Sequence, residues 1–97
     1  MVNYGLALAN EIKSENEIAE AHARLGDIAV MNDSLDLALS EYGKAIDYYR
    51  LIDNPDRLNP LLLVIGNVYL VKANYYMAMQ NYMEGIKISE NQHNANI

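Results

Sequence analysis

The chain contains no cysteine, tryptophan or phenylalanine, and only two of its 97 residues are proline. Without cysteine it can form neither a disulfide bond nor a thiolate metal site. Glycine is also scarce, while hydrophobic residues make up 52% of the chain, so a disordered polypeptide is not expected. The longest apolar run, residues 61–71, is interrupted by Asn67 and is too short to span a bilayer. These features together predict one small folded domain.

Basic residues are few as well. Seven lysines and arginines stand against 13 acidic residues, which gives a formal net charge of −6. Because an acidic chain repels phosphates and anionic lipids, we expect neither nucleic acid nor a membrane surface as a direct partner. The N-terminus has no basic segment followed by an apolar one, so no signal peptide is visible. We therefore expect a cytoplasmic protein.

The sequence does contain an internal repeat of forty residues. The stretch ALSEYGKAI, which begins at Ala38, returns as AMQNYMEGI forty positions later. Residues four apart lie on one face of a helix, so each stretch predicts a stripe that packs against a paired helix. A glycine inside a helix costs about 1 kcal/mol relative to alanine, so a recurring glycine indicates close approach of two backbones. The recurring pairs are Ala38 with Ala78, Tyr42 with Tyr82, Ile46 with Ile86, and Gly26 with Gly66.

Each copy of the repeat is expected to form two antiparallel helices, because its apolar residues recur at steps of three and four. The predicted fold class is all-α, a helical-hairpin repeat and a fragment of an α-solenoid, with about five antiparallel helices. Residues 1–97 are predicted to form a single domain with four segments. These are the second helix of a partial repeat (1–16), one repeat (17–53), a second repeat (54–91) and a polar tail (92–97).

Helix starts are indicated by short polar residues and by proline. Asp33 is expected to cap the second helix of the first repeat. The pairs Asn54-Pro55 and Asn59-Pro60 each look like a cap followed by a first helical position, and the sequence does not decide between them. A short break at residues 73–74 is expected to separate the last two helices.

At these positions the chain resembles the tetratricopeptide repeat family. The family pattern places a Leu-Gly pair and an aromatic residue in the first helix, then alanine, an aromatic and a small residue in the second. His22 and Leu62 depart from it, since a large aromatic residue is usual there, and forty residues exceed the common repeat length of 34. Longer repeats of this type are similar to those of bacterial signalling and transcriptional regulators and of G-protein-modulator scaffolds. The matching residues are Leu25, Gly26, Ala38, Tyr42 and Ala45 in one repeat, and Ile65, Gly66, Tyr69, Ala78, Tyr82 and Gly85 in the next.

The resemblance implies a non-catalytic protein–protein interaction module, a scaffold or sensor segment of a larger protein. It also implies a concave groove, lined by the first helix of each repeat, that holds an extended peptide or a partner helix. Asp27 and Asn67 stand out in that lining, because both side chains can hydrogen-bond a peptide. No cofactor is implied. The expected groove residues are Glu20, Ala23, Asp27, Val30, Met31, Leu63, Asn67, Leu70 and Val71.

The same positions argue against an acidic ligand. Members of the family that hold a C-terminal carboxylate need a lysine and an asparagine in one groove, and this chain has Ala23 and Asp27 there. Val64 stands where a further asparagine is required. An anionic peptide would meet Asp27 without a basic clamp. A protein or peptide ligand that is basic or largely apolar is therefore favoured.

Neither catalysis nor a metal site is expected. His22 occupies the position of a packing aromatic residue, and His93 lies in the polar tail. Four acidic residues lie near one expected helix junction, but without a histidine or a repeated partner set they are typical of a solvated face. They are Glu11, Glu15, Glu17 and Glu20. No glycine-rich phosphate loop or nucleophile motif is present.

The alternative function is self-association through uncapped terminal helices. Repeat arrays normally end in a helix with a polar outer face, but the last helix here is apolar on more than one side. End-to-end stacking or swapping of chains would cover such surfaces. The residues expected to associate are Tyr4, Leu8, Tyr75, Met79, Met83 and Ile86.

Overall fold

Four α-helices account for nearly all of the described chain. The computed structural model describes the backbone of residues 4–95 and the side chains of residues 10–92. Within these residues there is no strand, so the all-α fold class is confirmed. Each helix packs against its neighbours in sequence. The helices are α1 (Tyr4–Met31), α2 (Leu35–Leu51), α3 (Pro55–Val71) and α4 (Tyr75–Ala95).

The prediction of about five helices is wrong, because no break occurs near residue 16. α1 is one continuous helix of 28 residues and joins the expected partial repeat to the first helix of the next one. Residues 10–20 contain neither glycine nor proline. The Asn16 side chain donates to the Ile12 carbonyl oxygen at 3.2 Å and accepts from the Asn54 amide at 2.8 Å. Asn16 thus ties α1 to the turn between α2 and α3, and it does not end a helix.

The three connections between helices share one geometry. Asp33, Asp53 and Ala73 each adopt a left-handed backbone conformation, with φ of 60°, 52° and 62°. The residue after each donates its backbone N–H to a carbonyl five positions earlier, at 2.8 to 2.9 Å. This pattern closes the end of a helix and satisfies its last carbonyls. The same tight turn therefore ends α1, α2 and α3.

These turns decide where the next helices begin. Asp33 does not cap α2, since it occupies the left-handed position, and Ser34 is the residue at the N-cap. Asn54 caps α3 by accepting the backbone N–H of Arg57 at 3.3 Å, and Pro55 is the first helical residue. Pro60 lies inside α3. The expected break at residues 73–74 is present, and α4 continues through Ala95 into the segment expected to be a polar tail.

The core is a layer of alanine, tyrosine and aliphatic side chains between the paired helices. Tyr42 and Leu62 are the largest fully buried side chains in the described part of the chain. Ala38 and Ala78 are 0% and 2% exposed, as the repeat predicts for positions where helices approach closely. The remaining buried apolar residues are Ala19, Ala29, Ala45, Ile46, Tyr49, Leu58, Leu61, Ile65 and Val68.

One contact of this core occurs in both hairpins. A Cβ atom added at Gly26 would lie 2.5 Å from the ring of Tyr42, and one added at Gly66 would lie 2.6 Å from the ring of Tyr82. The hydroxyl of Tyr42 donates to Asp27, and the hydroxyl of Tyr82 donates to Asn67. Each tyrosine thus fills the space left by a glycine on the facing helix and bonds to the next residue of that helix.

Candidate binding groove

A groove runs between α1 and α3, above the helix α2 that packs against both. It consists of two adjoining depressions of about 420 and 310 Å³. Both depressions are lined by Asp27 of α1 and Val64 of α3. Because these two residues belong to both depressions, the surface is continuous from the N-terminal half of α3 to its C-terminal end.

The larger depression is lined by charged groups of both signs. Arg24 pairs with Glu20 one helical turn away at 2.7 Å, and Asp56 and Arg57 come from the first turn of α3. Tyr49 of α2 lies at the base, where burial raises the pKa of its phenol. A ligand in this half would meet acidic and basic side chains on each of the two walls. The other lining residues are Ala23, Asp27, Pro60, Leu61 and Val64.

The smaller depression is mostly apolar. Its polar side chains are those of Asp27, Tyr42 and Asn67. Contact with an apolar side chain in this half would remove hydrocarbon from water at about 25 cal/mol per Å². The apolar lining residues are Val30, Met31, Leu35, Val64, Val68 and Val71.

Asp27 occupies the boundary between the two halves. One of its carboxylate oxygens accepts the hydrogen bond of the Tyr42 hydroxyl, which fixes the orientation of the carboxylate. Burial of the ring, and then this hydrogen bond, raise the pKa of Tyr42 well above its ordinary value. The phenol therefore stays protonated as a donor. Asp27 itself remains exposed to solvent, so a ligand can reach its carboxylate.

Most of the groove residues named from the sequence lie together here. Seven of the nine line one or both depressions: Glu20, Ala23, Asp27, Val30, Met31, Asn67 and Val71. Leu63 and Leu70 are exposed on α3 but do not line either depression.

The sequence reasoning missed the base of the groove and its charged end. It considered only the first helix of each repeat, whereas α2 contributes Leu35, Tyr42 and Tyr49. Val64 is expected in the groove only as a position without the family's asparagine. It precedes Asn67 by three positions and Val68 by four, so helical spacing also places it on the same face as both. Arg57 and Asp56 lie in the first turn of α3, which could be located only once the helix start was known.

The α4 residues expected to self-associate form a second exposed surface. Tyr75, Met79, Met83 and Ile86 are 65%, 58%, 58% and 56% exposed. The other two named residues, Tyr4 and Leu8, have side chains outside the described set. This α4 surface is distinct from the groove, since none of its four residues lines either depression.

His22 makes a structural contact between α1 and α2. Its Nδ1 lies 2.7 Å from a carboxylate oxygen of Glu41, and its ring stacks on Tyr48 with centroids 6.3 Å apart. The hydrogen bond with His22 lowers the pKa of Glu41. Among the described side chains, no group of three histidine, cysteine, aspartate or glutamate residues could hold a metal ion. None of the described helices is long and apolar enough to cross a membrane.

Comparison with known proteins gives no relative for this chain. Scans against protein-family models, curated proteins and solved structures found no match. The resemblance to tetratricopeptide repeats therefore depends on the residue pattern alone.

Proposed function

We propose that the chain is a non-catalytic protein–protein interaction module that binds a peptide or a partner helix in the groove between α1 and α3. The observation that carries the proposal is the continuity of this groove through Asp27 and Val64. Its two halves offer different chemistry, charged and apolar, along one line. A linear segment with apolar residues at one end and charged residues at the other suits that arrangement.

The forty-residue correspondence supports a tetratricopeptide-type arrangement. Gly26 with Tyr42 and Gly66 with Tyr82 make equivalent contacts, and the turns at Asp33 and Ala73 have the same backbone geometry. In that family the inner helices of successive hairpins form the binding surface, and α1 and α3 hold the corresponding positions. A role as a scaffold or sensor segment of a larger protein is consistent with such a surface.

Charge decides which ligands are favoured. The chain carries a net charge of −6, which attracts basic segments and repels acidic ones. Within the groove, Arg24 is already paired with Glu20, so it offers little to a carboxylate ligand. We therefore expect the ligand to place lysine or arginine near Asp27 and Asp56, and aliphatic or aromatic residues between Val30 and Val71.

The test is selection of peptides from a displayed random library, followed by measurement of binding by fluorescence anisotropy. Val64→Glu places a charge where the two halves meet, and we expect it to weaken the selected peptides at least about tenfold. Leu37→Glu is the matched control, because Leu37 is 54% exposed on α2 and lies outside the groove. Peptides that bind both variants as tightly as the parent chain would contradict the proposal.

A further inference from the structure

The two hairpins meet at a seam between α2 and α3. On the α2 side, Leu39 and Ile46 lie beside Leu62, Ile65 and Tyr69 of α3. Leu35 lies beside Val68 and Val71 at the other end. Three of these α3 side chains are almost completely covered, since Leu62, Ile65 and Val68 are 1–7% exposed, whereas Val71 at the edge of the seam is 73% exposed. Leu58, one helical turn before Leu62, is 8% exposed. This seam shows how an outer helix of one hairpin packs against an inner helix of the next.

Most of the residues forty positions away from this seam form exposed apolar stripes on the two terminal helices, α1 and α4. The exceptions are His22 and Ala29, which correspond to Leu62 and Tyr69 and pack inside the first hairpin. Leu35, Leu39 and Ile46 of α2 correspond to Tyr75, Met79 and Ile86 of α4, which are 56–65% exposed. Leu58, Ile65 and Val68 of α3 correspond to Ile18, Leu25 and Ile28 of α1, which are 41–53% exposed. The chain therefore presents one half of the seam on α4 and the complementary half on α1.

We propose that a second copy of this chain covers these stripes, so that α4 of one copy packs on α1 of the next as α2 packs on α3. The contact is head-to-tail and joins two different surfaces. It does not use the groove residues Asp27, Val64 or Asn67, and it does not depend on the groove binding a peptide.

Charge complementarity supports this register. Across the internal seam, Arg50 of α2 pairs with Glu84 of α4 at 2.6 Å. The residue forty positions after Arg50 is Glu90, and the residue forty positions before Glu84 is Lys44. In the proposed contact, Glu90 of one copy faces Lys44 of the next. In the internal pair the basic residue, Arg50, lies on the helix of the preceding hairpin, whereas in the proposed contact that place is taken by the acidic residue Glu90. Each pair joins opposite charges and is therefore attractive.

The space at the seam also agrees with the register. Met83 occupies the position that corresponds to Gly43 of α2. A Cβ atom added at Gly43 would meet nothing within 4 Å, and Gly43 lines a cavity of about 480 Å³ at this seam, so a longer side chain has space there. Met83 can therefore enter an equivalent seam, where its flexible side chain adds apolar contact.

A head-to-tail contact predicts how the association grows. Each added copy leaves one α1 stripe and one α4 stripe uncovered at the ends, so no closed dimer results from this contact. The average mass should rise with protein concentration. Light scattering on the 97-residue chain over a wide concentration range measures it directly. A monomer at every concentration, or a dimer that does not grow, would overturn the proposal.

Two variants distinguish the head-to-tail contact from a symmetric one. Leu25→Glu blocks the α1 stripe and Ile86→Glu blocks the α4 stripe. Each substitution alone should weaken association between copies at least about tenfold. Mixed together, the two variants should form one-to-one dimers, since each retains the stripe that the other needs. An α4–α4 contact would leave Leu25→Glu associated and the mixture no different from its components. Leu37→Glu, which lies outside both stripes, should associate as strongly as the parent chain.

The register itself is tested by exchange of charge. Lys44→Glu and Glu90→Lys should each weaken association about two- to fivefold, and the double variant should restore it. Lys44 also lies 3.4 Å from Glu41, so helicity is checked by circular dichroism for each variant. Ile28→Glu replaces Leu25→Glu if the latter loses helicity. Failure of the double variant to recover would rule out this pairing of Glu90 with Lys44.

Discussion

The ring of Tyr42 occupies the space directly above Gly26, so close that a Cβ atom there would lie 2.5 Å from the ring carbons. Tyr42 is 1% exposed and its hydroxyl donates a hydrogen bond to Asp27, so the ring has little freedom to move away. The forty-residue repeat places Tyr82 over Gly66 in the same way. The two glycines therefore set how closely the helices of each hairpin approach.

Gly26→Ala should destabilise the chain, although alanine is the better helix former. Overpacking a core costs typically 1–3 kcal/mol, and the gain in helix propensity offsets up to about 1 kcal/mol of it. We expect a net loss of about 1–2 kcal/mol in the free energy of unfolding, measured by urea denaturation.

Gly43→Ala is the matched control for that substitution. Gly43 is also inside a helix, but an added Cβ would meet nothing within 4 Å. We expect a gain of about 0.5–1 kcal/mol from helix propensity alone. Equal effects at Gly26 and Gly43 would contradict the close contact with Tyr42.

Ala78→Glu should unfold the second hairpin. Ala78 is 2% exposed at the point where α4 approaches α3, and a charge there has no described partner to neutralise it. We expect a loss of helicity at ambient temperature, or a strongly lowered melting temperature, by circular dichroism. Gln80→Glu, on the exposed side of the same helix, should leave the melting curve nearly unchanged. An unaltered Ala78→Glu protein would refute the packing of α4 on α3.

Stability should decrease at alkaline pH. Burial raises the pKa values of Tyr42 and Tyr49 above the ordinary value of 10.0. Their contribution to the free energy of unfolding is fully present below pH 10. It is lost as the pH rises further, because the unfolded chain releases protons that the folded chain keeps. Each such group gives a slope of at most about 1.4 kcal/mol per pH unit.

Tyr42→Phe tests that interpretation. The variant loses the hydrogen bond to Asp27, which costs about 1 kcal/mol at neutral pH, but its stability should fall less steeply above pH 10. Tyr75→Phe is the control, since Tyr75 is 65% exposed. Urea denaturation at several alkaline pH values measures both slopes. Parallel slopes for the parent chain and Tyr42→Phe would contradict a protected phenol.

At acid pH the free energy of unfolding should depend on the ionisation of Glu41, which is hydrogen-bonded to His22. The hydrogen bond with His22 lowers the pKa of Glu41 from 4.5, so its contribution is present above pH 4.5 and is lost as the pH falls below that value. Glu41→Gln should make the free energy of unfolding less sensitive to pH in this range. If the acid unfolding curve of Glu41→Gln has the same slope as that of the parent chain, Glu41 does not contribute to the pH dependence of stability.

The sequence predicted the contacts that the forty-residue spacing encodes. The close helix approach at Gly26, the burial of Ala38 and Ala78, and the break at residues 73–74 all follow from side-chain periodicity and turn residues, which are local signals. That the ring of Tyr42 fills the space beside Gly26 is shown only by the structure. Asp33 was misassigned because a side-chain cap and a left-handed turn residue favour the same amino acid.

Other features depend on tertiary contacts that periodicity does not report. The continuity of α1 was missed, since polar residues near Asn16 resemble a helix end until their contact with Asn54 is known. The base of the groove was missed because Tyr42 and Tyr49 come from α2, for which the sequence pattern predicts only packing. Their place at the groove follows from how α2 fits between α1 and α3.

Nuclear magnetic resonance can show whether a partner binds in the proposed groove between α1 and α3. A peptide selected on the chain is titrated into isotope-labelled protein at a concentration where the protein is monomeric, and backbone amide shifts are followed. We expect the largest shifts at Asp27, Val64 and Asn67, with little change at Met79 and Ile86. Shifts concentrated on the outer face of α4, with the groove unaffected, would contradict it.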